Sequence, residues 1–293
     1  MLQQLEEFAE FTKTKELLAP YTTLKVGGPA EALVQPRSLA ELSSVVRRCF
    51  EKSIALRVLG GGGNILVRDE GVKGVVLRLS EPAFTQITVE GKRVRARSGA
   101  SLRALISEAA RHSLSGLEAL VATRGTVGGA LRNNAGDGAG EIGQFVCQVE
   151  VLDSAGNIQV RERDELRFEY RSSSLDDPVL LAGEFELEAD SAATIVKRMR
   201  RAWIQRKANQ PFSFQAAARI FKDPAGLSAA AMIEQAGLAG TRVGGAEVSD
   251  RDANCIIADQ GTAARDVLRL IELVKSRVQE RFHVELELEI SVW

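Results

Sequence analysis

The residues of this sequence best suited to chemistry are its glycines: a run at 60–63 that leads into Asn64, and the stretch GTVGGALRNNAGDGAG over 125–140. Main chain without side chains lets a phosphate come close and collect several backbone N–H hydrogen bonds. The competing reading is that such glycines only make tight turns between strands, and for a single cluster the two readings stand level. Two clusters in one half of the chain point to a long diphosphate ligand, with Thr126, Gly128, Gly129 and the pair Asn133-Asn134 adding contacts in the second. The common nucleotide fingerprints are missing. There is no GxxxxGKS or GxxxxGKT, and the 60–63 run precedes an apolar, strand-like segment where a Rossmann fold requires a helix.

The rest of the inventory excludes other chemistries. Among 293 residues there are two histidines, His112 and His283, and three scattered cysteines, Cys49, Cys147 and Cys255, too few for a His-rich metal site or a zinc-finger framework. Lys and Arg total 38 against 39 Asp and Glu, a formal charge of -1, which argues against a disordered chain and against an electrostatic nucleic-acid binder. The basic run over 197–207 reads as a solvated helix face, with Trp203 as a packing residue. An odd number of distant cysteines suits reduced thiols in a cytoplasm. The acidic, amphipathic start and the lack of any apolar stretch of ~18 residues predict neither a secretion signal nor a membrane span. His112 and His283 read as helix or strand caps, and Cys255 as an apolar filler.

Several elements must position the glycines. Residues 2–18 read as one helix, and Ser38 with Glu41 as a capping box opening a helix to about residue 52. Strands are predicted at 54–59, over ILVRD and over GVVLRL, and a hairpin over 85–98, followed by a helix from 101. The 125–140 stretch is too glycine-rich for a stable helix and reads largely as loop. A second hairpin turns at SAGN, and beyond 190 come a basic helix, a helix over 227–235, the strand CIIAD, a helix from Thr262 and a final strand HVELELEISV. On that last strand Glu285, Glu287 and Glu289 share one face and read as solvated. The compositional change predicts a first domain over 1–188, in two parts of about 1–80 and 81–188, and a second over 189–293.

Seven stretches, in order along nearly the whole chain, carry a family resemblance: YTTLKVGGPAE, LGGGGNILVRDEG, GTVGGALRNNAG, YRSS, QPFSFQAAARIFKDP, GLAGTRVGGAEVS and LELEI. The chain resembles the UDP-N-acetylenolpyruvoylglucosamine reductase (MurB) family, in its shorter form without an extra tyrosine loop. The resemblance implies an α+β fold, with an FAD-binding domain of the vanillyl-alcohol-oxidase type and a C-terminal α+β substrate domain. It implies FAD contacts from Gly60, Gly61, Gly62, Gly63, Asn64, Ile65, Thr126, Gly128, Gly129, Ala130, Asn134 and Gly136. It further implies substrate contacts from Tyr170, Lys222 and Asp223, a nucleotide-sugar substrate, NADPH as reductant, a role in peptidoglycan precursor synthesis, no nucleic-acid or membrane partner, and a monomer or weak homo-oligomer.

In the family, NADPH reduces the flavin, which then delivers hydride to an enolpyruvyl double bond. An unactivated enol ether accepts hydride only if the neighbouring carboxylate absorbs the developing charge. The resemblance assigns Arg171 and Glu289 to that carboxylate. A serine then protonates the adjacent carbon, and here Arg219 occupies its place. A guanidinium is a poor proton donor at neutral pH but can stabilise an enolate electrostatically. Asp223 stands where the family has asparagine, Asp252 for histidine, Arg124 for proline, Gly63 for serine, and Ala216 and Ala218 for serine and glycine. Three readings follow: a working reductase with altered proton delivery, which the retained Arg171, Lys222 and Glu289 favour; an oxidoreductase for another carboxylated substrate; and a flavin or nucleotide-sugar binder without catalysis.

Overall fold

The computed structural model describes residues 2–137, 140–212 and 215–293. Gly138 and Ala139 of the second glycine stretch, and Ser213 and Phe214 of the 210–224 stretch, lie outside the described residues. The chain forms two compact units, Met1–Lys15, Glu31–Gly61 and Lys73–Arg206 in the first and Glu16–Ala30, Gly62–Val72 and Lys207–Trp293 in the second.

The first unit is α+β, built on a four-stranded and a five-stranded sheet. One contains, in spatial order, Thr12–Leu17, Pro29–Val34, Val72–Leu77 and Leu56–Val58, and the chain passes to and from the second unit at the ends of the first three. Helix α1 (Leu39–Glu51) turns Leu42, Val45, Val46 and Cys49 into a core with Ala32, Val34, Val75 and Leu77. Its N-cap is half of the expected box: Ser38 Oγ accepts Glu41 N–H, while the Glu41 carboxylate accepts the N–H of Arg37 instead of that of Ser38. The other sheet runs Ile158–Glu162, Val146–Leu152, Val179–Glu186, Arg93–Arg97 and Ile87–Glu90, all antiparallel. Against it pack α2 (Leu102–Arg111) and the short α3 (Val127–Arg132), with Leu102, Leu105, Val127 and Leu131 in a shared core. His112 C-caps α2, as expected of a histidine at a helix end.

The second unit has a sheet in the order Ala216–Arg219, Cys255–Ala258, Ala246–Val248 and Arg242–Val243. Helix α4 (Ala192–Asn209) carries the chain into this unit, and α5 (Ala229–Gln235) and α6 (Ala264–Phe282) follow. The buried residues of α6, Val267, Leu270, Ile271, Val274 and Val278, join Phe221, Ile233 and Val248 in one core. His283 ends α6 in the left-handed region, φ 57°. Among the described residues, no helix is long and apolar enough to cross a membrane.

Five expectations need correction. The boundary expected near 188 lies at Lys207, and the second unit also takes 62–72 from the middle of the expected first domain. Two links explain this: Ile65–Leu66 pairs in parallel with Ser291–Val292, and the Asp69 carboxylate accepts the N–H groups of Ala264 and Arg265 at 2.7 and 3.0 Å. Asp69 thus caps α6, whose own N-cap residue, Ala263, has no side-chain acceptor. Residues 2–18 are not one helix but a 3-10 helix, Leu2–Phe11, and an edge strand, Thr12–Leu17, because a sheet is available to the β-branched Thr-Lys-Thr-Lys alternation. The 125–140 stretch does contain a helix, α3, started by Thr126 Oγ1 accepting Gly129 N–H. The segment after His283 is no continuous strand: a bridge at Leu288 and the pair Ser291–Val292 are its only ladder contacts among the described residues. Trp203 lies 47% exposed on α4 and is no core residue.

Candidate functional site

In the first unit the two glycine stretches meet. A Cβ on Gly60 would stand 2.6 Å from Thr126 Oγ1, and one on Gly61 2.7 Å from Gly125 Cα, so the approach requires glycine on the 60–61 side. Gly125, at φ 135°, faces open space, and Gly129 is exposed. This is a main-chain surface clear of side chains, of the form a diphosphate group requires, and the residues fit the flavin cofactor implied by the family resemblance. Gly128 serves packing, because a Cβ there would lie 2.8 Å from Ser98 Cβ. Ala130 is buried.

Asn134 is fully buried, with φ 42°. Its Nδ2 donates to Glu141 Oε2 and Glu169 O at 2.7 and 2.9 Å, and its Oδ1 accepts Gly143 N–H at 3.0 Å, so its amide fastens the stretch internally. Phe168–Glu169 and Ser172–Ser173 form a hairpin whose two turn residues are Tyr170 and Arg171. Arg171, at φ 56°, donates from Nη1 to Gly136 O at 2.6 Å and lies 5.6 Å from the Tyr170 ring centroid. Ser173 Oγ donates to Arg132 O and ties the hairpin to α3. Arg171 is thereby anchored beside the second glycine stretch.

Gly62, Gly63, Asn64 and Ile65 belong to the second unit. Gly62 is forced by φ 65° and by Tyr21 O, which would stand 2.0 Å from a Cβ. Asn64 Nδ2 donates to Glu289 O at 3.0 Å, Asn64 O accepts Ser291 N–H, and Glu289 N donates to Ile220 O at 2.8 Å. Glu289 is therefore pinned by its main chain on both sides. Its side chain is only 14% exposed, whereas that of Glu287 is 74% exposed. The alternation that predicts a solvated face holds for Glu285 and Glu287 and fails for Glu289.

Glu289 faces Arg219. The guanidinium lies 3.4 Å from Glu289 Oε2, 2.6 Å from Asp223 Oδ2 and 4.0 Å from Asp252 Oδ2. Burial works against its charge, but the attraction of Asp223, Asp252 and Glu289 outweighs this and holds Arg219 protonated above its ordinary range. Cys255 sits opposite Arg219 in the antiparallel ladder, and its thiol donates to Asp252 Oδ2 at 3.4 Å. Burial, then the neighbouring Asp252, push that thiol far up, so it stays protonated; Cys255 is buried, as an apolar filler would be, but has a polar partner. Lys222 N–H donates to Glu287 O, and its Nζ lies 3.4 Å from Glu287 Oε2 in an exposed ion pair.

Asn254 has a structural part that sequence reading did not identify. Nearly fully buried, it accepts Phe221 N–H and donates to Phe221 O, fixing the backbone between Arg219 and Lys222. Asp252 was visible in the sequence only as a departure from a pattern. A buried asparagine or a charge opposite an arginine gives no signal until strands are paired.

A model of the C-terminal domain of UDP-N-acetylenolpyruvoylglucosamine reductase matches residues 210–293, and an FAD binding domain model matches 30–161. The chain is 40% identical over 280 residues to UDP-N-acetylenolpyruvoylglucosamine reductase 2 of Symbiobacterium thermophilum, covering 95% of this chain and 91% of that one. It is 39% identical over 281 residues to the reductase of Moorella thermoacetica, covering 96% and 92%. The crystal structure of the Thermus caldophilus reductase superposes with a TM-score of 0.84 at 38% identity, over 97% of this chain and all of the other. With an FAD-binding fold, a C-terminal α+β unit and relatives matched along nearly their whole length, the chain belongs to the UDP-N-acetylenolpyruvoylglucosamine reductase (MurB) family.

Proposed function

We propose that this protein reduces UDP-N-acetylglucosamine enolpyruvate to UDP-N-acetylmuramate with electrons from NADPH, in a cytoplasmic route to peptidoglycan. The kinship over more than nine-tenths of the chain carries this reading. FAD, when bound, supplies the redox chemistry by accepting two electrons from NADPH and passing a hydride to substrate. The glycine junction of Gly60, Gly61, Gly125 and Thr126 would hold its diphosphate.

The side chains have separate tasks. Arg171, fixed by Gly136 O, presents a planar guanidinium suited to bidentate recognition of the enolpyruvyl carboxylate. Glu289 polarises the same group by donating a hydrogen bond to it, a role open only to its protonated carboxyl. Arg219 is a positive charge beside the developing enolate. Held protonated, it is a poor proton donor at neutral pH, and in this reading solvent supplies the proton that completes the reduction. Lys222 and Tyr170 contact the nucleotide sugar, and Asp223 sets the position of Arg219.

Anaerobic mixing separates the steps. The yellow protein should bleach with NADPH and recover its colour on addition of UDP-N-acetylglucosamine enolpyruvate. Flavin that is reduced but never reoxidised by this substrate refutes the reading and favours an oxidoreductase for a different carboxylated compound.

A further inference from the structure

Three of the departures from the family's residue pattern share one guanidinium: Arg219 in place of serine, Asp223 in place of asparagine and Asp252 in place of histidine. They are four and thirty-three residues apart along the chain from Arg219, and only the pairing of Ala216–Arg219 with Cys255–Ala258 makes all three neighbours. We infer that the three form one coupled exchange, in which Asp223 and Asp252 are positioning residues that hold Arg219 as a fixed cation, and that serine at 219 is functional only if the other two revert with it.

The donors and acceptors support this coupling from the side of Arg219. Asp223 uses Oδ1 to accept Ala229 N–H, the first residue of α5, at 2.9 Å, and Oδ2 to accept Arg219 Nη2 at 2.6 Å. An asparagine that keeps the bond to α5 through its carbonyl oxygen turns its NH2 toward residue 219. That donor complements a serine hydroxyl oxygen and opposes a guanidinium, which has donors only. Asp252 accepts Asn254 N–H through Oδ1 at 3.0 Å and turns Oδ2 toward both Cys255 and Arg219. A histidine there offers no anion to the guanidinium and, when protonated, repels it. A serine hydroxyl at 219 still donates to Asp223 but brings no charge, so with both aspartates in place the mismatch is electrostatic, in a cluster whose side chains are 14–35% exposed.

Charge gives the same answer. One guanidinium faces three carboxylates, Asp223, Asp252 and Glu289. Arg219→Ser alone removes the cation that these three carboxylates share and brings like charges together in a partly desolvated site, which disturbs Glu289 as well. Restoring serine therefore does not restore the family's proton donor.

The experiment compares wild type, R219S, D223N/D252H, the triple variant R219S/D223N/D252H and R219K. Substrate-driven flavin reoxidation is expected to fall at least tenfold in R219S and to recover at least tenfold from that level in the triple variant, mainly in kcat, while R219K stays within tenfold of wild type. Reduction of the flavin by NADPH is the internal control and should be unchanged throughout. Independence overturns the inference: R219S as fast as wild type, or a triple variant whose loss is the product of the losses of R219S and D223N/D252H within twofold. The catalytic readout rests on the proposed function, whereas melting temperatures of the same set do not. Coupling is expected there too, with the triple variant melting above R219S. If R219S does not fold, D223N and D252N in wild type and in R219K close the cycle. A wild type that never reoxidises on substrate refutes the function alone and leaves the melting test intact.

Discussion

The glycine junction of the first unit and the arginine cluster of the second are built from opposite materials. At the junction, Gly60 and Gly61 approach Gly125 and Thr126 because side chains are missing, and the site is a shape made by main chain. In the cluster, Arg219, Asp223, Asp252 and Glu289 are set by charge and hydrogen bonding, and the site is an electrostatic balance. A shape of this kind is intolerant of any added atom but indifferent to charge. A balance of this kind tolerates exchange, provided the exchange is made at every member.

That contrast can be broken most sharply by activity. In the proposed reaction Arg171→Ala and Glu289→Gln each remove a group aimed at developing charge, and loss of one such group typically costs about 10²–10³ in kcat. Stopped-flow reoxidation of reduced flavin should show that fall while NADPH-driven reduction stays intact. An effect confined to flavin reduction would move both residues from the substrate to the cofactor. Gly61→Val should act the other way round. Its branched side chain would collide with Gly125 Cα, already 2.7 Å from a bare Cβ, and purified protein should carry at least tenfold less bound flavin by absorbance, about 1.4 kcal/mol per decade.

The junction was legible in the sequence because glycine is rare enough in runs to be conspicuous, and the expectation that both clusters serve one diphosphate requires them to be close, as Gly60 and Thr126 are. Strand and helix periodicity likewise located the hairpin Ile87–Glu90 with Arg93–Arg97 and helix α6. The charge cluster was legible only as separate departures from a pattern, since Arg219 and Asp252 become neighbours through strand pairing and not through spacing. Alternation put Glu289 with the solvated Glu285 and Glu287, because period-two reasoning assumes a regular strand. The bond that Glu289 O accepts from the Asn64 side-chain amide and the bond that Glu289 N–H donates to Ile220 O override it. The membership of 62–72 in the second unit was invisible for the same reason, since a cap supplied by a distant aspartate has no local signature.

Between shape and balance stands Asn254, whose amide is neutral but whose two bonds to Phe221 hold the turn that carries Lys222 and aligns Arg219. Asn254→Ala strands a buried N–H and C=O, at a cost of about 1–3 kcal/mol. With a shift of roughly 2–4 °C per kcal/mol for a unit of moderate size, a melting point lower by several degrees is expected by calorimetry. Substrate KM should rise as well, because Lys222 shares that turn. A lower melting point with unchanged KM would show that the turn serves stability only.

The smallest expected effect tests whether the second unit owes its continuity to Asp69. Its two oxygens accept Ala264 and Arg265 N–H groups at the start of α6, one of the four orphan donors at a helix start being met by each. Replacing an N-capping acceptor by alanine costs about 1 kcal/mol. Asp69→Asn keeps one acceptor oxygen and should cost less than Asp69→Ala, an order that distinguishes capping from general packing. Because α6 carries Val267, Leu270 and Ile271 into the core beneath the Arg219 strand, hydrogen exchange should quicken first at the α6 N-terminus and not at the glycine junction. Equal quickening in both regions would mean that shape and balance are not independent, and that a single cooperative core supports them.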